Sequence, residues 1–184
     1  MGYGRRHHGQ RTTDTSVTHQ PYVTTNTLSQ RDHPMSNCLF CSITQKKEAS
    51  SIVYEDDLCM AIMDVFPLGT GHVLVIPKKH GVLISDLEKS TQAHLFTIGS
   101  QIVEAQRKAG FGVKGTNFLL NDGKAANQTV PHIHLHLIPR KKGDFVTAIP
   151  KLALHVTGLF GRRTKRETLN QQAKVIKQHL SPKS

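Results

Sequence analysis

The chain has 184 residues and a formal net charge of +11. That length suits one domain with a tail or two, and such a domain buries a core without covalent staples. It contains no run of about 18 apolar residues, which excludes a membrane-spanning helix, and its three cysteines are too few for a disulfide framework. A cytoplasmic protein with no membrane partner is expected. The charge is uneven: Lys and Arg against Asp and Glu number 4 to 2 over residues 1–34, 9 to 9 over 35–138, and 11 to 2 over 139–184. A basic end attracts phosphates, nucleic acid or acidic partners.

Residues 1–34 are rich in Thr, His, Gln and Arg and poor in large aliphatic residues. They bury too little apolar surface to offset their ordering entropy, so a disordered extension is expected, with Met35 as the natural start. A folded domain over 35–145 follows. Ile52-Val53-Tyr54 is a short β-rich run, and Leu58 to Val65 a second strand that completes a hairpin across Glu55-Asp56-Asp57. Pro67, Gly69 and Gly71 mark a loop. His72-Val73-Leu74-Val75-Ile76 reads as a third strand, stopped by Pro77. Asp86 to Ala109 carries Leu87, Leu95, Ile98, Ile102, Ala105 and Ala109 at helical spacing, with Ser85 or Asp86 as cap and Gly110 as terminator. Asn117 to Leu120 is a fourth strand, Asn121-Asp122-Gly123 a turn, and Val130 to Ile138 a fifth strand ended by Pro139. A last helix is expected within Thr164–Leu180, inside a basic segment spanning 146–184. Strands, one long helix, then more strands indicate an α+β fold with a mainly antiparallel five-stranded sheet and a C-terminal helix.

The run His132-Ile133-His134-Leu135-His136 places three imidazoles on one face of a strand, with Ile133, Leu135 and Leu137 facing the core. Alternating histidines either bind a metal, or one is a nucleophile whose neighbours orient it and move protons. Imidazole suits phosphoryl chemistry because it is a good neutral nucleophile and a reasonable leaving group. Cys38 and Cys41 form a CxxC pair, which alone reads as zinc, redox or two buried thiols, and Cys59 sits in an apolar run as a core residue.

The run His132 to Ile138 resembles the HφHφHφφ signature of the histidine triad family. Further segments match in order: Gly71-His72-Val73-Leu74-Val75-Ile76-Pro77-Lys78-Lys79-His80, Asn121-Asp122-Gly123, Gln128-Thr129-Val130, Val53-Tyr54-Glu55-Asp56-Asp57 and Asp64. The likeness runs from about Asn37 to Arg140. It implies a nucleotidyl hydrolase or transferase in which His134 attacks the α-phosphate of a purine nucleotide. His136 contacts the phosphate and helps the leaving group, and His72 supports the cluster. Asp64 binds the ribose hydroxyls, Asn121 holds the phosphate side, and Gln128 and Thr129 contact the phosphate or its bridging atom. The family has glycine where this chain has Asn127, in the same nucleotide-contact loop; asparagine tolerates the left-handed region better than most residues.

The CxxC resembles that of bacterial zinc-containing members, which implies a structural zinc on Cys38, Cys41, His80 and His132, with no organic cofactor. Pro139-Arg140-Lys141-Lys142-Gly143-Asp144 looks more like the dinucleoside polyphosphate hydrolase branch. Substrates implied are a dinucleoside polyphosphate or a nucleoside phosphoramidate, and a homodimer is implied as well. The alternatives are a DNA-end adenylate hydrolase, which the basic C-terminal segment would suit although it carries no zinc-finger spacing, and a nucleotide-binding regulator with little turnover.

Overall fold

The computed structural model describes residues 38–143 and 163–180. The expected disorder of residues 1–34, and much of the basic segment 146–184, lie outside them. Five strands, β1 (Ile52–Glu55), β2 (Cys59–Met63), β3 (Val73–Pro77), β4 (Thr116–Leu120) and β5 (Leu135–Pro139), form one sheet in the order β1-β2-β3-β5-β4. Every neighbouring pair is antiparallel. The expected α+β architecture is therefore the one observed.

The two faces of the sheet follow from the alternation of side chains along each strand. Cys59, Ala61, Met63, Val73, Val75, Leu135 and Leu137 point to the face covered by α2 (Lys89–Lys108) and α3 (Arg166–Lys177). Leu95, Ile98 and Ile102 of α2 and Leu169, Ala173 and Ile176 of α3 complete that core. These positions recur at helical spacing, as an amphipathic helix on a sheet requires. Met60, Ile62, Leu74 and Ile76 point to the opposite face, where Phe40, Cys41 and Ile43 of a short helix α1 (Leu39–Thr44) cover them. His136 lies opposite Leu74 in the β3–β5 register, so the histidine run shares the α1 face.

Two expectations are corrected and one element is new. The fifth strand was expected over Val130–Ile138 but β5 begins at Leu135. The chain before it bends over Val130–His132, where His132 N–H donates to Val130 O at 2.8 Å, and is held by contacts outside the ladder: Ile133 N–H donates to Gly81 O at 2.8 Å, and the His132 ring lies 2.9 Å from Pro77 O. The long helix begins at Lys89 rather than Asp86, with Glu88 at its N-cap. Asp86 instead closes a one-turn 3-10 helix, Ile84–Asp86, and its Oδ2 accepts from the N–H groups of Val82 and Leu83. Finally, α1 has no counterpart in the sequence-based reading.

Two glycines are required by close approach. Gly71, just before His72, has φ +83°, and a Cβ there would stand 2.8 Å from the Phe111 ring. Gly112 has φ +62°, and its Cβ would meet the Cα of Pro139 at 2.8 Å.

Candidate functional site

A cavity of about 190 Å³ opens between α1 and the sheet. Its apolar wall includes Leu39, Phe40 and Ile43 of α1, Ile62 of β2 and Leu74 of β3, and Asp64, Thr129, His134, His136 and Arg166 supply its polar groups. An apolar cleft with a few convergent polar groups is the usual form of a small-molecule site.

The histidines at the floor have assignable tautomers. His134 Nδ1 lies 2.7 Å from His132 O. A carbonyl can only accept, so Nδ1 carries the proton and Nε2 is the ring's lone-pair nitrogen. The Phe40 ring meets the His134 ring edge-on, with centroids 5.0 Å apart, and limits its rotation. Leu68 N–H donates to His72 Nδ1 at 3.1 Å, which places the proton of the neutral His72 ring on Nε2. That Nε2 lies 3.0 Å from His136 Nδ1, so it donates to it. Asp64 Oδ2 stands 3.4 Å from His72 Nδ1, where it would become the counter-charge of a protonated ring. His72 is fully buried, and Asp64, His134 and His136 are nearly so. Asp64 Oδ1 accepts from Phe66 N–H at 2.8 Å, which aims the carboxylate.

Beside this cavity, Cys38, Cys41, His80 and His132 bring one ligand atom each within 4.8 Å of one another. Cys38 Sγ and Cys41 Sγ lie 3.4 and 3.5 Å from His132 Nδ1. Cys41 Sγ lies 3.3 Å from His80 Nδ1, and the two Nδ1 atoms are 3.2 Å apart. A tetrahedral zinc with Zn–S of about 2.3 Å and Zn–N of about 2.0 Å has S···N edges of about 3.5 Å and N···N edges of about 3.3 Å. The four donors therefore fit a closed tetrahedral centre. His132 Nε2 donates to Pro77 O, which turns the lone pair of Nδ1 into the cluster. Burial pushes the His132 ring down to about 4, reinforced by His80 and His134 and only partly opposed by the Pro77 carbonyl, so it is neutral as a ligand must be. Burial and neighbouring Cys38 push the Cys41 thiol up to about 11. The CxxC belongs to this group, and Cys59 is a buried core residue as expected.

Two further groups of potential ligands are already engaged. Asp64, His72 and His136 form the relay described above. Asp56 accepts from the N–H groups of Leu58 and Cys59, from Tyr54 OH at 2.8 Å and from His94 at 2.7 Å. That network ties the β1–β2 turn to α2.

The structure thus gathers His72, His134, His136, Asp64 and Thr129 at or beneath one cavity, and Cys38, Cys41, His80 and His132 at another point. Asn121, Asn127 and Gln128 do not line the cavity. Gln128 is spent on main-chain groups of its own loop and of the segment after β3: its Oε1 accepts from Gly123 N–H at 3.1 Å and its Nε2 donates to Val82 O at 2.7 Å. Asn121 Nδ2 lies 3.4 Å from Asn127 O. Asn127 has φ +62° and ψ +35°, so asparagine adopts here the left-handed conformation that glycine would take. Sequence reasoning missed Phe40 and Arg166. Phe40 carried a weak signal as an aromatic inside CxxC; Arg166, one cation among eleven in the basic end, carried none.

A family model described as the HIT domain matches residues 45–143. An uncharacterized HIT-like protein of Mycobacterium tuberculosis is 36% identical over 73% of this chain and 94% of its own length. The adenosine 5'-monophosphoramidase of Saccharomyces cerevisiae is 32% identical over 66% of this chain and 73% of its own length. Among solved structures, a zinc-bound histidine triad family protein from Mycobacterium smegmatis superposes with a TM-score of 0.63 at 33% identity, covering 79% of this chain and 94% of that one. With its His132-to-His136 run, its antiparallel sheet and these matches together, the chain belongs to the histidine triad family.

Proposed function

We propose that the protein is a nucleotidyl hydrolase that attacks the α-phosphate of a purine nucleotide through His134. The observation that carries this reading is the 2.7 Å contact from His134 Nδ1 to His132 O, which presents Nε2 as a nucleophile in a cavity that also holds Asp64. The yeast relative named as a monophosphoramidase supports this class of reaction.

In the first step Nε2 forms a bond to the α-phosphorus and the bond to the leaving group breaks, its electron pair departing with that group. The positive charge left on His134 is shared with the His132 carbonyl through Nδ1–H. The step takes place when the His136–His72 pair has taken up one proton, its charge facing Asp64: His136 gives a proton to the departing atom and the pair returns to its neutral state. In the second step water attacks phosphorus, the P–Nε2 bond breaks, and the water's proton returns to His136. A nucleoside monophosphate is released. Asp64 accepts from the ribose hydroxyls, and Thr129 donates to a phosphate oxygen. Asn121, Asn127 and Gln128 shape the loop beside the phosphate. Cys38, Cys41, His80 and His132 hold a structural zinc whose role is to pin α1, and no step passes through it.

A homodimer is part of the proposal. Phe118 of the edge strand β4 packs across Gly99 of α2, and with the exposed Phe96 one turn away it forms an uncovered apolar patch. No helix among the described residues is long and apolar enough to cross a membrane, which agrees with the proposed cytoplasmic placement.

The test is release of AMP from adenosine phosphoramidate and from a diadenosine polyphosphate, with mass spectrometry of acid-free quenched protein for a nucleotidyl adduct on His134. Turnover and adduct both disappear in His134→Ala while AMP still binds. Turnover that survives the substitution excludes His134 as nucleophile.

A further inference from the structure

The residue at the cavity least explained by the reaction is Arg166. It lies outside the family-matched residues 45–143, at the start of α3. Among the described residues it is the single Lys or Arg that lines the cavity. Two contacts fix it: Nη2 donates to Ala49 O at 3.0 Å and Nη1 to Ser51 Oγ at 3.3 Å. Ser51 is itself buried, and its hydroxyl donates to Asn170 Oδ1 at 2.6 Å. The guanidinium is therefore held in place before any ligand arrives, which lowers the entropy cost of using its other donors.

Its position along the cavity follows from the backbone. Ser51 O accepts from Met63 N–H at 2.9 Å, and Thr164 N–H donates to Val65 O at 2.9 Å. The Ala49–Ser51 segment and the approach to α3 thus flank Met63, Asp64 and Val65. Arg166 therefore enters the cavity beside the segment that carries Asp64. With the ribose proposed on Asp64 and the phosphate on His134, the base is assigned to this end, where Phe66 and the apolar wall of α1 also line the cavity.

We propose that Arg166 selects the base, favouring 6-oxopurines (guanine or hypoxanthine) over adenine. A guanidinium carries donors only. The O6 and N7 atoms of guanine are two adjacent acceptors that match its planar fork, whereas adenine offers N7 beside an amino group that opposes donor with donor. The inference rests on the nucleotide reading above, so its test is chosen to separate the two.

The experiment is titration of the full chain with GMP, IMP and AMP, for the wild type, Arg166→Ala and Arg166→Lys, with thermal melting of each variant. The wild type binds GMP and IMP at least about tenfold more tightly than AMP, within the range of discrimination that a bidentate contact supplies. In Arg166→Ala the ratio falls close to one, chiefly through loss of GMP and IMP affinity, and Arg166→Lys, a point charge without the fork, gives an intermediate ratio. Equal wild-type affinities for the three nucleotides overturn the assignment. So does an undiminished wild-type ratio in either variant, because an arginine that only braces α3 would lower the melting temperature without touching the preference. Absence of binding by all three nucleotides overturns the nucleotide reading itself, and the role of Arg166 with it.

Discussion

Metal affinity at the Cys38, Cys41, His80 and His132 cluster should rise with pH in a way fixed by its surroundings. Binding requires thiolate and neutral imidazole, so each ligand that is protonated in the metal-free protein releases a proton on binding. The His132 ring, held down to about 4, is deprotonated throughout the neutral range and releases none. The Cys41 thiol, held up to about 11, is protonated throughout the same range and releases one. From Cys41 alone the apparent association constant for zinc therefore increases about tenfold per pH unit between roughly pH 7 and 9. The assay is competition with a chromophoric zinc chelator of known affinity at several pH values, with Cys41→Ser as control. The substitution should lower affinity and take about one proton out of the slope. An apparent constant that does not change over this range would refute the reasoning, since it would mean that metal binds where no buried thiol is displaced.

Other outcomes are expected. Phe40→Ala removes a side chain that is 5% exposed and that packs on both His134 and the cavity, so melting should fall by the equivalent of about 3 kcal/mol and AMP affinity should weaken in the same variant; unchanged affinity would separate α1 from the site. Gly112→Ala forces a side chain into a left-handed residue against the backbone of Pro139, and denaturant titration should show a loss of about 1–3 kcal/mol. Asp56 is held below the usual carboxylate range because, although burial works the other way, the N–H groups of Cys59 and Leu58, His94 and Tyr54 OH outweigh it. A depressed carboxylate contributes stability above its unfolded value near 3.9 and loses it as pH falls. Acid melting curves should therefore show a drop below about pH 4 that is smaller in Asp56→Asn.

The strands β1 to β4, the body of α2 and the helix within 164–180 were legible because each carries its own period and its own stop signal. The six residues of α1 were not. Leu39-Phe40-Cys41-Ser42-Ile43-Thr44 is shorter than two helical turns, and its helicity comes from packing Phe40, Cys41 and Ile43 on the sheet, not from capping. The start of β5 was misplaced because Val130–His134 has strand composition while its hydrogen bonds go to Gly81 and Pro77. The histidines, Asp64 and the four cluster residues were legible through their order along the chain. The occupation of Gln128 by Val82 O and Gly123 N–H, and the arrival of Arg166 from more than a hundred residues beyond Asp64, are products of tertiary contact that no local pattern encodes.

His132 divides its work between two kinds of atom. Its ring belongs to the cluster, but what it offers His134 is a main-chain oxygen, and every residue type has one. The position of that oxygen depends on Ile133, which is fully buried and bonded to Gly81 O. A lineage could therefore exchange His132 for another side chain and lose the four-residue cluster while His134 kept its proton on Nδ1. The chemistry and the cluster are free to be gained or lost separately over evolutionary time, although they meet in a single residue.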